Sequence, residues 1–365
     1  MHMADALLSP AVGIAFWAAS GTALAISSRK ARSDSREYLV PLMGVLGAFV
    51  FAAMMINFTI PGTGSSGHIG GGLLLSILLG PYAAFVVIAS VLTVQALFFA
   101  DGGLLALGAN IFNLGVFPCF IGLPLIYRPL LKHAGTVATK RRVAVITVLA
   151  TVISLQLGAL AVVTQTQLSG ISSLPLNAFL LLMQPIHLAI GLIEGLATAA
   201  LIHFVREARP DLFVDLGGGG VASSPSKFPT KLIAGLGVLA LVTAGVFSWF
   251  ASSQPDGLEW SIARATVRSE LDATESSVHT RMADLQKSLA LFPEYKFSFD
   301  AKDAVQEPTK QKEGASTALE AWPAVDVGTS LAGVIGGLAT LSLVTLVAYL
   351  LRRRKNVTVS VGTGD

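Results

Sequence analysis

A methionine followed by a histidine opens the chain, and a second histidine, His68, ends a run of small residues, "GTGSSGH". With a free α-amine on Met1, three nitrogens sit on one short stretch of backbone: the amine, the amide nitrogen of His2 and the His2 imidazole. Around a metal ion the amine and amide close a five-membered ring, and the amide and Nδ1 close a six-membered one. Three nitrogens in a plane leave one equatorial position open. His68 is able to fill it, because the glycine- and serine-rich run before it lets the backbone fold back toward the terminus. Four nitrogens in a square plane suit Ni(II) or Cu(II) rather than Zn(II), which prefers a tetrahedron. Co(II) fits the plane less naturally. On residue types alone, an incidental terminal histidine and a hydrogen-bonded surface histidine remain the competing explanation.

Asp5, Asn57, Ser65, Ser66, Asp101 and Asn110 fall near the same end of the predicted elements. Any one of them could accept a proton from the free ring nitrogen of a ligand histidine and fix its orientation. Helix capping and turn formation are the competing roles, for Asp101 above all and equally for Asp5. His187 and Glu194, in "MQPIHLAIGLIEGLATAA", lie seven residues apart, so a helix puts them on one face roughly 10 Å apart along its axis. Ionisable groups at membrane depth mark a pathway or a regulatory contact, or fix helix packing by hydrogen bonds. The chain holds neither an HExxH zinc-protease motif nor a GxxxxGK[ST] phosphate loop. ATP-driven work therefore requires another subunit. Cys119 is the only cysteine, which excludes an intrachain disulfide.

The elements that must position these residues are membrane spans. Of 365 residues, 53% are hydrophobic and 13% charged, against about 25% charged in soluble domains; mean hydropathy is +0.69. The composition predicts a polytopic protein of the lipid bilayer with no nucleic-acid partner. Apolar segments at about 4–26, 38–57, 69–79, 82–99, 104–127, 142–165 and 176–204 predict seven spans, divided at "GP" 80–81 and "DGG" 101–103. The thirteen Lys and Arg before position 232 fall within 29–36, 128–142, 206–209 and 227–231. Starting outside and counting seven spans places all of them on the cytoplasmic side, as the positive-inside rule requires. Arg29, Lys30, Arg32 and Arg36 follow the first apolar segment instead of preceding it, which predicts a retained helix and not a signal peptide.

A glycine- and serine-rich linker is expected at 209–230. Two further spans, about 232–250 and 329–351, flank an outer loop, 251–328, with thirteen Asp and Glu against eight Lys and Arg. In "PDGLE", Asp256 and Glu259 have capping-box spacing. Leu271, Val278, Met282, Leu285 and Leu289 recur at helical spacing, and no catalytic role is expected for this loop or for His279 within it. The expected fold is an all-α integral membrane protein. It comprises a seven-helix bundle with an extracytoplasmic N-terminus, and two further transmembrane helices flanking an extracytoplasmic loop domain.

"MHMADALLSP", "GTGSSGHIGGGLLLSILLGPYAAF", "VQALFFADGGLLALGANIFNLGV" and "HLAIGLIEG", in this order, resemble the CbiM/NikM substrate-binding subunits (S-components) of energy-coupling-factor transporters over residues 1–208. The region 231–352, with "SSQPDGLEW", resembles the PDGLE/NikN-type component and leaves 353–365 as a cytoplasmic tail. The resemblance implies a NikMN-like transport subunit of a bacterial or archaeal cell membrane, without enzymatic activity or cofactor, whose substrate is Ni(II) or Co(II). It implies ligands at Met1, His2 and His68, a NikQ/CbiQ-type coupling subunit, a NikO/CbiO-type ATPase, and toppling of the substrate subunit in the membrane. The usual opening, "MHIPDGFLSP", is here "MHMADALLSP", which keeps the donors and the later "LSP". The PDGLE tail favours nickel, with Co(II) import for cobalamin synthesis as the alternative. Two other classes compete. One is an autonomous proton-coupled transporter using His187 and Glu194. The other is an intramembrane metalloenzyme, disfavoured because four nitrogens leave no equatorial position for a substrate.

Overall fold

Ser9 and Pro10 set the start of the first long helix, α1 (Pro10–Arg32): the serine hydroxyl accepts from the Val12 N–H, and proline occupies the first turn, where its missing donor costs nothing. Arg29, Lys30 and Arg32 close the helix where its dipole favours cations. The computed structural model describes residues 2–34, 36, 38–134, 139–209, 230–266, 276–295, 323 and 325–356. The Met1 amine, nearly all of the linker, Leu271 and much of the outer loop lie outside these residues.

After α1 come α2 (Leu39–Met54), β1 (Phe58–Ile60), β2 (Ser65–Gly67), α3 (Gly72–Leu79) and α4 (Pro81–Phe98). These lead to α5 (Leu107–His133), α6 (Lys140–Ser169) and α7 (Leu176–Ala208). The second part contributes α8 (Thr230–Gly245), α9 (Gly257–Ala265), α10 (Ser277–Leu289) and α11 (Val327–Asn356). Six of these, α1, α4, α5, α6, α7 and α11, are long and apolar enough to cross a membrane. The segment expected as a third span is only the eight residues of α3, about 12 Å at helical rise, against a hydrocarbon core of about 30 Å. All eight are buried in the bundle.

The loop expected to be merely flexible is an antiparallel hairpin. Phe58 pairs with Gly67 and Ile60 with Ser65, so a small sheet interrupts the otherwise helical fold. Gly62 and Gly64 take positive φ in its turn, which the sequence "PGTG" permits without strain.

Within α5, residues Phe112–Tyr127 wind as a π-helix containing Pro118 and Pro124. Proline supplies no N–H to the ladder, and the wider winding accommodates the interrupted bonding. In this segment Asn113 forms a reciprocal amide pair with Gln165 of α6, at 2.8 and 2.7 Å.

Burial sorts the spans into layers. In α4, 72% of the most apolar window is buried, against 17% in α1, so α4 is central and α1 presents most of its surface to lipid. The second part is not a separate body, because α8 and α11 pack against α2 and against each other. Between these helices and α4, twelve residues of α2 are buried.

Candidate metal centre

Residues 2–5 lie as a strap against the "DGG" turn. Asn110 Oδ1 accepts the Met3 N–H at 2.8 Å and its Nδ2 donates to the Met3 carbonyl at 3.1 Å. The Gly103 N–H donates to the same carbonyl at 2.9 Å, and Asp5 Oδ1 accepts the Ala106 N–H at 2.9 Å. Asn110 and Asp5 therefore hold backbone next to His2 instead of touching an imidazole.

His2 and His68, distant in sequence, come together. Their rings stack with centroids 5.1 Å apart and an interplanar angle of 19°. His2 Nδ1 lies 3.3 Å from Asp101 Oδ1, and Tyr295 donates its hydroxyl to Asp101 Oδ2 at 2.6 Å. Gln95 Nε2 donates to the Tyr295 oxygen at 3.2 Å. His2 Nε2 and Gln95 Oε1 are buried without a hydrogen-bond partner. Burial lowers the pKa of His2 against the opposing pull of Asp101, and burial holds His68 well below its ordinary value. Both imidazoles are thus neutral donors, the form a metal takes. Burial and the Asp101 charge push the Tyr295 hydroxyl well above its usual range, so it remains a proton donor to the carboxylate.

A cavity of about 460 Å³ opens onto the pair, lined among others by His2, His68, Asp101, Asp256, Glu259 and Tyr295. Among the described residues no group of three or more His, Cys, Asp and Glu side chains is arranged to hold a metal ion. An ion held at the two imidazoles therefore needs backbone nitrogens or water to complete its shell.

The loop carrying His68 is seated on one face of α7. Glu194 Oε2 accepts the Gly70 N–H at 3.1 Å and Oε1 accepts the Gly71 N–H at 2.9 Å. One turn away, a Cβ on Gly67 would meet Ile190 Cγ1 at 2.5 Å, so only glycine lets the hairpin lie this close. Ser66 serves the second part of the chain: its N–H donates to the Pro255 carbonyl at 2.8 Å and its hydroxyl to the Gln254 carbonyl at 2.7 Å. Ser66 and Asp256 form a parallel bridge, which extends the hairpin by one strand position.

Asp256 caps α9, accepting from the Leu258 and Glu259 N–H groups at 2.8 and 2.9 Å, and the expected capping box with Glu259 is present. Burial alone would raise its pKa, but contacts including the hydrogen bond from the Glu259 N–H hold the carboxyl below the usual carboxylate range. The same cap places Asp256 in the wall shared with His68. Beyond it, α10 packs beside the "DGG" turn: His279 Nε2 lies 2.9 Å from the Leu8 carbonyl, and Gln286 Nε2 donates to the Ala96 and Gly102 carbonyls at 2.9 and 2.7 Å.

The family described as "Cobalt uptake substrate-specific transmembrane region", CbiM, matches residues 2–212. The chain belongs to the CbiM family. The PDGLE domain matches residues 230–353, so a CbiM-family region and a PDGLE domain are joined in one NikMN-like chain. The fused nickel transport protein NikMN of Rhodobacter capsulatus is 30% identical over 254 residues, covering 66% of this chain and 71% of that protein. The cobalt transport protein CbiM of Sorangium cellulosum is 30% identical and covers 58% of this chain and 94% of its own. A solved structure of a truncated transition metal transporter superposes with a TM-score of 0.50 at 30% identity, over 57% of this chain and 99% of that one.

In this CbiM-family chain the sequence pointed to His2, His68 and Asp101, and the fold gathers all three. It did not point to Asp256, Tyr295 or Gln95 as neighbours of the site. The signal available for Asp256 was an acidic residue six positions after an apolar span, but its capping-box spacing explained it fully without a ligand nearby.

Proposed function

We propose that this chain is the metal-capturing membrane subunit of an ATP-driven energy-coupling-factor importer, with Ni(II) as its preferred substrate. The observation that carries the reading is the stacked, buried, neutral pair His2 and His68 at the foot of a cavity roomy enough for a hydrated ion. The Met1 amine, the His2 amide and His2 Nδ1 supply three planar nitrogens, and His68 supplies the fourth. In the orientation described, Nδ1 faces Asp101. Loading therefore includes a half-turn of the ring about Cβ–Cγ, which frees Nδ1 for the ion and swings Nε2 toward Asp101. Asp101, steadied by Tyr295, then acts as the acceptor that fixes the ligand ring.

The N-terminus is extracytoplasmic in this reading and the first 208 residues form a seven-helix bundle. From the outer segment, Asp256, Glu259, Gln286 and Tyr295 line the vestibule, and in this reading they keep it open for the ion. The nickel name of the fused relative supports nickel over cobalt. Glu194 spends both carboxylate oxygens on backbone N–H groups, which leaves it poorly placed as a proton relay and argues against autonomous proton-coupled transport.

Uptake of radioactive Ni(II) into cells carrying this chain, with and without the coupling and ATPase subunits, tests the assignment. Accumulation is expected only with the full set. Equal uptake by the chain alone overturns it. For the site, mass spectrometry of the mature N-terminus is expected to find Met1 unblocked. Inserting one Ala between Met1 and His2 is expected to abolish tight Ni(II) binding, and unchanged affinity rejects the chelate.

A further inference from the structure

His187 sits on α7 wholly buried, one helix face with Ile190 and Glu194. Its Nδ1 is 2.8 Å from the Met183 carbonyl, which fixes the proton on Nδ1 and leaves Nε2 with its lone pair. That Nε2 has no hydrogen-bond partner although it is buried. An imidazole whose Nδ1–H is held by a backbone carbonyl while Nε2 is bare is in the state a metal-ligating histidine takes. His187 lines a void of about 10 Å³ together with His68, Asp256, Gly67, Gly70 and Gly257, room for a single water-sized body. A Cβ on Gly257 would lie 3.2 Å from His187 Cε1, which shows how closely the start of α9 approaches the ring. On the inner side a second void of about 20 Å³ shares Gly70, Leu114 and Leu155 with the first and is lined by Asn113, Thr151 and Glu194. Polar groups therefore continue inward from the His68 loop along this one face of α7.

We propose that His187 Nε2 and the Asp256 carboxylate form a second, deeper station for the transported divalent transition-metal ion, entered from the His2 and His68 pair. Imidazole nitrogen selects borderline ions such as Ni(II) and Co(II) over Mg(II) and Ca(II). With only two protein side chains dedicated to it, the station binds more weakly than the planar nitrogen site and suits a transient occupant. The direction of loading rests on the capture reading above; the binding itself does not.

Equilibrium dialysis of the untagged full-length chain in detergent against Ni(II) alone tests it. The wild-type chain is expected to take up two equivalents, the second at least tenfold more weakly. His187→Gln keeps the tight equivalent, which reports that the fold is intact, and loses the weak one. Asp256→Asn, which retains a capping side chain, weakens the second equivalent severalfold. His2→Ala loses the tight equivalent and keeps the weak one, so failure of the capture reading and failure of the second station appear in different variants. A single equivalent in the wild-type chain, or a weak equivalent unaffected by His187→Gln, overturns the proposal. Should His187→Gln not yield folded protein, anomalous scattering from wild-type crystals saturated with Co(II) decides: a peak at His187 Nε2 supports the station, and its absence there overturns it.

Discussion

At the scale of single residues, the site depends on imidazoles kept neutral by burial. His2→Ala and His68→Ala are each expected to weaken Ni(II) binding by more than about a hundredfold, beyond the range of an outer-shell loss, as read by metal titration. Asp101→Asn removes the charge that orients His2 and should cost about ten- to a hundredfold. Stability is expected to depend on pH in a definite direction. Both histidines have folded-state pKa values below the ordinary value of about 6.5. The unfolded chain therefore binds protons that the folded chain refuses, and the stabilisation present above about pH 6.5 is lost as the pH falls below it. A thermal melt of the metal-free protein in detergent from pH 7.5 to 5.5 should show a falling midpoint; a flat profile would contradict the buried neutral pair. His2 stood out in the sequence because it is adjacent to Met1, and His68 because it ends the glycine- and serine-rich run; the fold stacks their rings. Tyr295 was not, because its approach to Asp101 depends on how the outer segment docks.

The elements around the site hold backbone more than side chains. Asn110 satisfies both the N–H and the carbonyl of Met3, so Asn110→Ala leaves two buried groups without this partner and should destabilise by about 2 kcal/mol. Metal titration is expected to show weaker binding in the same variant, since the strap carrying His2 loses its anchor. At the other imidazole, Glu194→Gln replaces a charge-assisted clasp on Gly70 and Gly71 by a neutral one. Hydrogen exchange at residues 67–71 should accelerate in this variant while exchange in α6 stays unchanged. Helical periodicity and the turn signals gave α4, α6 and α7 close to their observed limits. Periodicity carried no information about the β1–β2 hairpin, whose six residues are set by pairing with each other and with Pro255, nor about the π winding of α5, which reflects how two prolines are fitted into a continuous helix.

On the scale of the whole molecule, α2 is the common wall between the CbiM-family region and the PDGLE domain, packed by α4 and by α8 and α11. Hydropathy announced each of these spans but could not say that the tail would fold back on the bundle instead of standing apart. Removal of 251–328 is expected to slow Ni(II) uptake in cells carrying the coupling and ATPase subunits, and uptake at the wild-type rate would refute the vestibule role. The 33 residues of α7 span about 50 Å at helical rise. Through Glu194 that single rod is bonded to the loop two and three residues beyond His68, so tilting its far end pulls on one of the two imidazoles. Thermodynamic reciprocity would make such a lever work in both directions: whatever shifts α7 would change the affinity of an ion held at the pair by the same factor by which that ion would change the ease of moving α7.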